Sequence, residues 1–140
     1  MNEGAPRSLI QILHALGTVE TRLEDALEPL GLSLAKLNAL SQLVEAGDPL
    51  PLGTLAERCA CVRSNITQLV DRLEADKLVA RVDDPHDRRS VLAALTEAGR
   101  SRHAEGMKAM KSAERAVLAP FQPQEREELM RLLSVLSQED

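Results

Sequence analysis

The chain has 140 residues, 44% of them apolar, with a formal net charge of -5 at pH 7. That length suits one domain with a sizeable core, that apolar content excludes wholesale disorder, and the acidic balance excludes bulk attraction to nucleic acid or anionic lipid. Aromatics are 1% of the chain, Phe121 alone, so the core has to be built from Leu, Val, Ile and Ala, a composition that favours helices and supplies no stacking platform for single-stranded nucleic acid.

Residues 8 to 30 open the chain with Leu9, Ile12, Leu13, Leu16, Leu23, Leu27 and Leu30. Spacings of three and four predict a long amphipathic helix, stopped by Gly31. Ser33 is placed to cap a second helix through Leu34, Leu37, Leu40, Leu43 and Val44. Gly47, Asp48 and Pro49 break it. A short third helix is expected over Leu52 to Cys59. A fourth follows a brief turn, from about Ser64 to Leu78, with Ile66, Leu69, Val70 and Leu73 on one face. The period then changes. "VARV" (Val79 to Val82) and "SVLAAL" (Ser90 to Leu95) predict two short strands around "DDPHDRR", a hairpin whose polar loop is longer than a tight turn. Thr96 can cap a long fifth helix carrying Met107, Met110, Ala113 and Val117. Pro123 suits the first turn of a last helix with Leu129, Leu132, Leu133 and Leu136.

Two short helices joined by a tight turn, then a hairpin, is the order of a winged helix-turn-helix. The expected fold is therefore mainly α with a small β-hairpin wing, one domain over residues 1–140. The winged part covers about 33–95. The long helices of 5–30 and 96–138 carry apolar stripes larger than so small a unit needs, so we expect them to pack against a second copy of the chain. No apolar run approaches the ~20 residues that span a membrane. The start, "MNEGAPRSLIQIL", lacks a basic region followed by a continuous apolar stretch. A cytoplasmic protein with reduced thiols and no membrane partner is expected.

A recognition helix reads the major groove with side chains near its N-terminus. Here those are Arg63, Ser64, Asn65, Thr67 and Gln68, with Arg72 on the same outer face. Arg can be bidentate to guanine, Asn or Gln to adenine, and Thr can meet a thymine methyl. Ser and Asn are also ordinary helix-start residues. The wing tip carries Arg88 and Arg89 beside Asp83, Asp84 and Asp87. Arg in a narrow minor groove gains from its negative potential, whereas a surface ion pair contributes only about 0–1 kcal/mol. Between Glu57 and Leu92 acids and bases cancel, so only their placement could make one face basic.

"DPHDRRSVLAALTEAG" (Asp84 to Gly99) resembles the wing signature of the MarR family of bacterial transcriptional regulators: an Asp-Pro-x-Asp-Arg-Arg tip, a strand, then Leu-Thr-x-x-Gly opening a helix. "LAERCACVRSNITQLVDRLEADKLVAR" resembles that family's helix-turn-helix, and "GLSLAKLNAL" and "PQEREELMRLL" its second and last helices. The resemblance implies a homodimer on a palindromic double-stranded operator, usually a repressor, released by a small-molecule effector such as an aromatic acid or by thiol oxidation. It also assigns Arg89 to the minor groove with Asp87 as the partner that holds it. The alternative is a helical dimer that binds no DNA and serves protein interaction or redox or metal sensing.

Against the family's usual turn, Cys59 stands where Leu is common, Cys61 where Val is common, Ala60 in place of a turn Gly and Val62 in place of the capping Ser or Thr. Cys59 and Cys61 can be small apolar fillers. They can be a redox sensor, since Cys61 precedes a helix and Arg58 and Arg63 are near in sequence. As a metal site the pair falls short, because two thiolates do not complete a tetrahedral shell and His14, His86 and His103 are scattered. Peroxide-sensing relatives typically carry the reactive Cys near the first helix, where this chain has none. His14, Met107 and Met110 are candidates for an effector pocket, with core packing the simpler role for the methionines. No catalytic constellation, phosphate-binding Gly loop or cofactor motif is present, so no enzyme and no cofactor are expected.

Overall fold

The computed structural model describes residues 4, 6–61 and 63–138, with Arg63 and Ser64 described by their backbone alone. The side-chain roles expected of those two, and the capping position of Val62, lie outside the described residues. The helices are α1 (Arg7–Leu27), α2 (Leu34–Ala46), α3 (Leu52–Arg58), α4 (Arg63–Ala75), α5 (Glu97–Leu118) and α6 (Pro123–Leu136). The strands are β1 (Leu50–Pro51), β2 (Val79–Asp84) and β3 (Asp87–Leu95), forming one antiparallel sheet in the order β1-β3-β2.

Each helix boundary has a local cause. The α-helix of α1 stops at Leu27 rather than Leu30, and Glu28–Leu30 winds on as a single 3-10 turn. Pro29, with no N–H to give, cannot continue the i to i-4 ladder. Gly31 then turns left-handed (φ +68°) and Leu32 N–H reaches the Leu27 carbonyl at 3.2 Å. Ser33 Oγ accepts from Lys36 N–H at 3.1 Å, the expected cap of α2. Past Ala46, Gly47 takes φ +74°. The fourth helix ends at Ala75, three residues short of the sequence expectation. Lys77 adopts φ +63°, its N–H bonds the Glu74 carbonyl, and Leu78 N–H bonds the Leu73 carbonyl, each at 2.9 Å. This is a Schellman stop, completed by the buried pair Leu73 and Leu78.

The hairpin has the expected root, Val79 and Leu95, and differs at its tip. Its turn is tight, made by Pro85 and His86, and the strands run on through the polar residues to Asp84 and Asp87. Strand pairing needs main-chain groups, not apolar side chains, so polar residues continue a ladder that projects into solvent. Asp84 Oδ1 accepts from His86 N–H and Asp87 Oδ1 from Arg89 N–H, both at 2.9 Å, local bonds that substitute for missing packing. The third strand, β1, is absent from the sequence reading. Its Leu50 and Pro51 pair with Ala93 and Leu92 of β3. A proline is tolerated there because β1 is an edge, and two residues carry no readable period.

The core is aliphatic, as composition required. Leu27, Leu40, Leu55, Ile66, Val70, Leu73, Leu78 and Val79 are its largest fully buried side chains. Its buried side chains come from α2, α3, α4 and the root of the wing, with Leu27 from the end of α1. Phe121, at the α5–α6 corner, is exposed.

Candidate nucleic-acid interface

The face of α4 divides as its spacing predicts. Ile66, Leu69, Val70 and Leu73 are buried. Asn65, Thr67, Gln68 and Arg72 are exposed. An apolar stripe clamped to the core fixes which way the helix faces, so the polar start of α4 projects outward by geometry. The wing's ladder is regular from Val79↔Leu95 to Asp83↔Val91, then shifts so that Asp84 pairs with Asp87. Arg88, Arg89 and Ser90 fall inside that shift. Arg88 and Arg89 are exposed. Asp87 Oδ1 accepts from the Arg89 main-chain N–H at 2.9 Å, and among the described residues the Arg89 guanidinium forms no ion pair with it.

The cancelling charges separate once placed. Asp71 and Glu74 of α4 are taken by Arg81 of β2: Nη2 donates to Asp71 Oδ1 at 2.6 Å and Nη1 to Glu74 Oε1 at 3.0 Å. Asp76 is taken by Lys36 Nζ at 2.9 Å. Arg72, Arg88 and Arg89 form no ion pair among the described residues. Three acids, Asp71, Glu74 and Asp76, are thus compensated within the protein, while the wing-tip Asp83, Asp84 and Asp87, like those three arginines, form no ion pair among the described residues. Arg81 went unnoticed as a site residue in the sequence, where it counted only as one base among many. Its signal was the acid spacing Asp71, Glu74 on one helix side, which becomes legible only when β2 is laid beside α4.

Cys59, Ala60 and Cys61 form the end of α3. Ala60 has φ +54°, its N–H bonds the Glu57 carbonyl at 3.1 Å, and Cys61 N–H bonds the Ala56 carbonyl at 2.9 Å. The stretch is a second Schellman stop, with Ala in the seat a glycine favours. Both thiols are free and half-buried. Cys59 packs against the core. Burial, and then the neighbouring Cys61 charge, push its thiol up to about 11. Cys61 Sγ lies 3.6 Å from the Cys59 carbonyl oxygen. Among the described residues no group of three or more His, Cys, Asp or Glu side chains is placed to hold a metal ion.

The effector-pocket candidates do not converge. His14 lies with Leu13, Gly17, Thr18, Thr21 and Arg22 along a groove whose walls all belong to α1. Met110 is half-buried against the core, and Met107 is 38% exposed on α5. A separate groove, lined from both sides by Ala26, Leu30, Lys108 and Ala109 among others, runs between the end of α1 and α5.

A short helix, a tight turn, a second helix with a polar outward start and a three-stranded wing define a winged helix-turn-helix. The profile of the MarR family matches residues 30–90. YcgE of Bacillus subtilis, an uncharacterized HTH-type transcriptional regulator, is 37% identical over 87 residues, 61% of this chain and 56% of its own length. The chain therefore spans little more than half of that curated relative. A crystal structure of a MarR-family transcriptional regulator from Silicibacter pomeroyi is 32% identical, covering 92% of this chain and 86% of that one, with a TM-score of 0.64. That of a probable transcriptional regulator from Pseudomonas aeruginosa is also 32% identical, covering 90% and 96%, with a TM-score of 0.75. The chain belongs to the MarR family.

Proposed function

We propose that this protein is a dimeric DNA-binding transcriptional regulator, a repressor that sits on a palindromic operator. The observation that carries the reading is the outer surface of α4. Asn65, Thr67, Gln68 and Arg72 are exposed over a buried apolar face, beside a wing tip whose Arg88 and Arg89 form no ion pair among the described residues. Asn65 and Gln68 would read base edges in the major groove, and Arg89 would enter the minor groove. Arg63 and Ser64 would join the major-groove set from the first turn of α4.

The dimer is supported by what the single chain leaves uncovered. On α1, Leu9, Ile10, Leu13 and Leu16 are exposed, Leu13 at 65%. On α6, Met130, Leu132, Leu133, Val135 and Leu136 are exposed, Leu132 at 50%. Contiguous apolar surface at both chain ends is costly to leave in water and marks an interface. Two copies related by a two-fold axis would present two α4 helices to half-sites about 34 Å apart. None of the helices described is long and apolar enough to cross a membrane, in keeping with a cytoplasmic location. A small-molecule effector is the favoured release signal, since Cys59 is held as a thiol and Cys61 forms part of a structural turn.

Selection of bound duplexes from a random pool tests the reading. An inverted repeat should be enriched, and Arg89→Ala should weaken binding to it roughly tenfold or more with an unchanged melting temperature. A pool with no enrichment defeats the proposal and leaves a helical interaction protein.

A further inference from the structure

We propose that Arg81 is a positioning residue that fixes the wing to the recognition helix, so that α4 and Arg89 engage the duplex as one rigid unit. The inference rests on the DNA-binding reading above and goes beyond it, because Arg81 would work without touching DNA.

The wing needs such a strut. β1 reaches only Leu92 and Ala93 of β3, so beyond that level the sheet has two strands. An isolated two-stranded ribbon is marginal in water. Val79 at its root is buried, whereas Val82 is already 39% exposed. Arg81 pairs with Ala93 in the ladder, one pair before the third strand ends at Pro51 and Leu92. Everything that would reach the minor groove lies further along the hairpin.

At that level Arg81 makes four bonds to one helix. Its backbone N–H donates to Glu74 Oε2 at 3.0 Å, and Nη1 donates to the other oxygen of the same carboxylate at 3.0 Å. Nη2 donates to Asp71 Oδ1 at 2.6 Å and, more weakly, to the Thr67 carbonyl at 3.5 Å. Glu74 therefore clamps both the main chain and the side chain of one strand residue. Asp71 and Thr67 lie one and two turns nearer the N-terminus of α4, so the guanidinium lies along the helix rather than touching it at one point. The Arg81 side chain is only 26% exposed. Isolated surface pairs contribute little, but a planar fork engaged by two carboxylates sets direction as well as distance.

Rigid coupling has a signature that ordinary stabilisation lacks. If the strut holds the wing in register with α4, removing it makes the Arg89 contact less productive. The two substitutions are then non-additive. The experiment measures binding of the full-length protein to its selected operator by fluorescence anisotropy, with melting temperatures recorded for each variant. Arg89→Ala is introduced into the wild type, into Arg81→Met, and into Arg81→Met combined with Asp71→Asn and Glu74→Gln. The last background removes the carboxylates that Arg81→Met would otherwise turn toward the phosphates. Arg81→Lys is the milder variant should Arg81→Met fold poorly.

Arg89→Ala is expected to cost roughly thirtyfold in the wild type and about threefold in both Arg81→Met backgrounds, with Arg81→Lys between them. Amide exchange in residues 82–90 of the free protein should quicken in Arg81→Met. An equal cost of Arg89→Ala in every background, with unchanged exchange in the wing, overturns the inference and leaves the DNA-binding reading intact. A wild-type protein that enriches no duplex overturns both.

Discussion

A methyl group at Gly99 would lie 2.0 Å from the Leu78 carbonyl oxygen and 2.9 Å from a Leu95 methyl. The reason for that crowding is Thr96. Its N–H bonds the Leu78 carbonyl at 3.2 Å, its hydroxyl donates to the Lys77 carbonyl at 2.8 Å, and it accepts from Gly99 N–H at 2.9 Å. One threonine thus caps α5 and ties it to the turn that ends α4, which draws the first turn of α5 onto that backbone. The Leu-Thr-x-x-Gly signature is this contact written in sequence. Gly99→Ala should lower stability by about 1–3 kcal/mol or more, read from urea melts. An unchanged midpoint would mean that the approach is not tight. At Cys59 the raised value, about 11 against an ordinary 9.0, leaves ~100-fold less thiolate near neutral pH. Alkylation of Cys59 in the native protein should therefore be far slower than that of a free thiol such as glutathione at the same pH, as mass spectrometry of timed samples would reveal. Prompt labelling of Cys59 would reopen its redox role.

At the scale of elements, caps and stops were the most legible features, because each depends on one or two neighbouring residues. Ser33, Thr96, Gly31 and Gly47 act where their types predict. The α3–α4 turn follows the same logic with a poorer residue, Ala60 at φ +54°. Two helix ends misjudged by three residues, those of α1 and α4, had local causes in Pro29 and Lys77; the other misjudged ends were decided by partners. The length of the wing strands came from pairing between polar residues, and β1 exists because β3 is there to receive it. α6 presents the opposite case, a clear amphipathic helix with no buried residue in the single chain. Its apolar side is the expected seam of the dimer. Leu132→Glu together with Leu136→Glu should leave the helical content unchanged and halve the sedimenting mass. A protein that sediments as one chain before and after the change would refute the seam.

At the scale of the whole molecule, the winged part is tied to the terminal helices through α5. α5 crosses the body at Gly106, where an added Cβ would meet Leu37 and Leu32 methyls at 2.7 and 2.9 Å. Polar ties flank the crossing: Arg102 bonds the Leu30 carbonyl, and His103 Nε2 pairs with Ser41 Oγ of α2 at 3.0 Å. Burial, and then the Arg100 charge, hold His103 below its ordinary 6.5, with Glu45 opposing. A lowered folded value means that the unfolded chain takes up the proton first. The His103 contribution is therefore complete above 6.5 and declines as pH falls through the lowered folded value. Thermal melts at pH 5 to 7.5 should show that slope, about one proton's worth, and His103→Gln should flatten it. An equally steep slope in the variant would assign it to other groups.

The sequence by itself determined the helices, their caps, the inward face of α4 and the family signature. These follow from periodicity and from side chains acting on their own backbone within a few residues. Only the tertiary structure decided which charges cancel. Arg81 reaches Asp71 and Glu74 across the gap between a strand and a helix, and Lys36 reaches Asp76 across forty residues of chain. Opposite charges far apart in sequence carry no order until the backbone sets their distances. That is why the outward face of α4 could be placed by pattern but the arginines of this acidic protein could be told apart only by geometry.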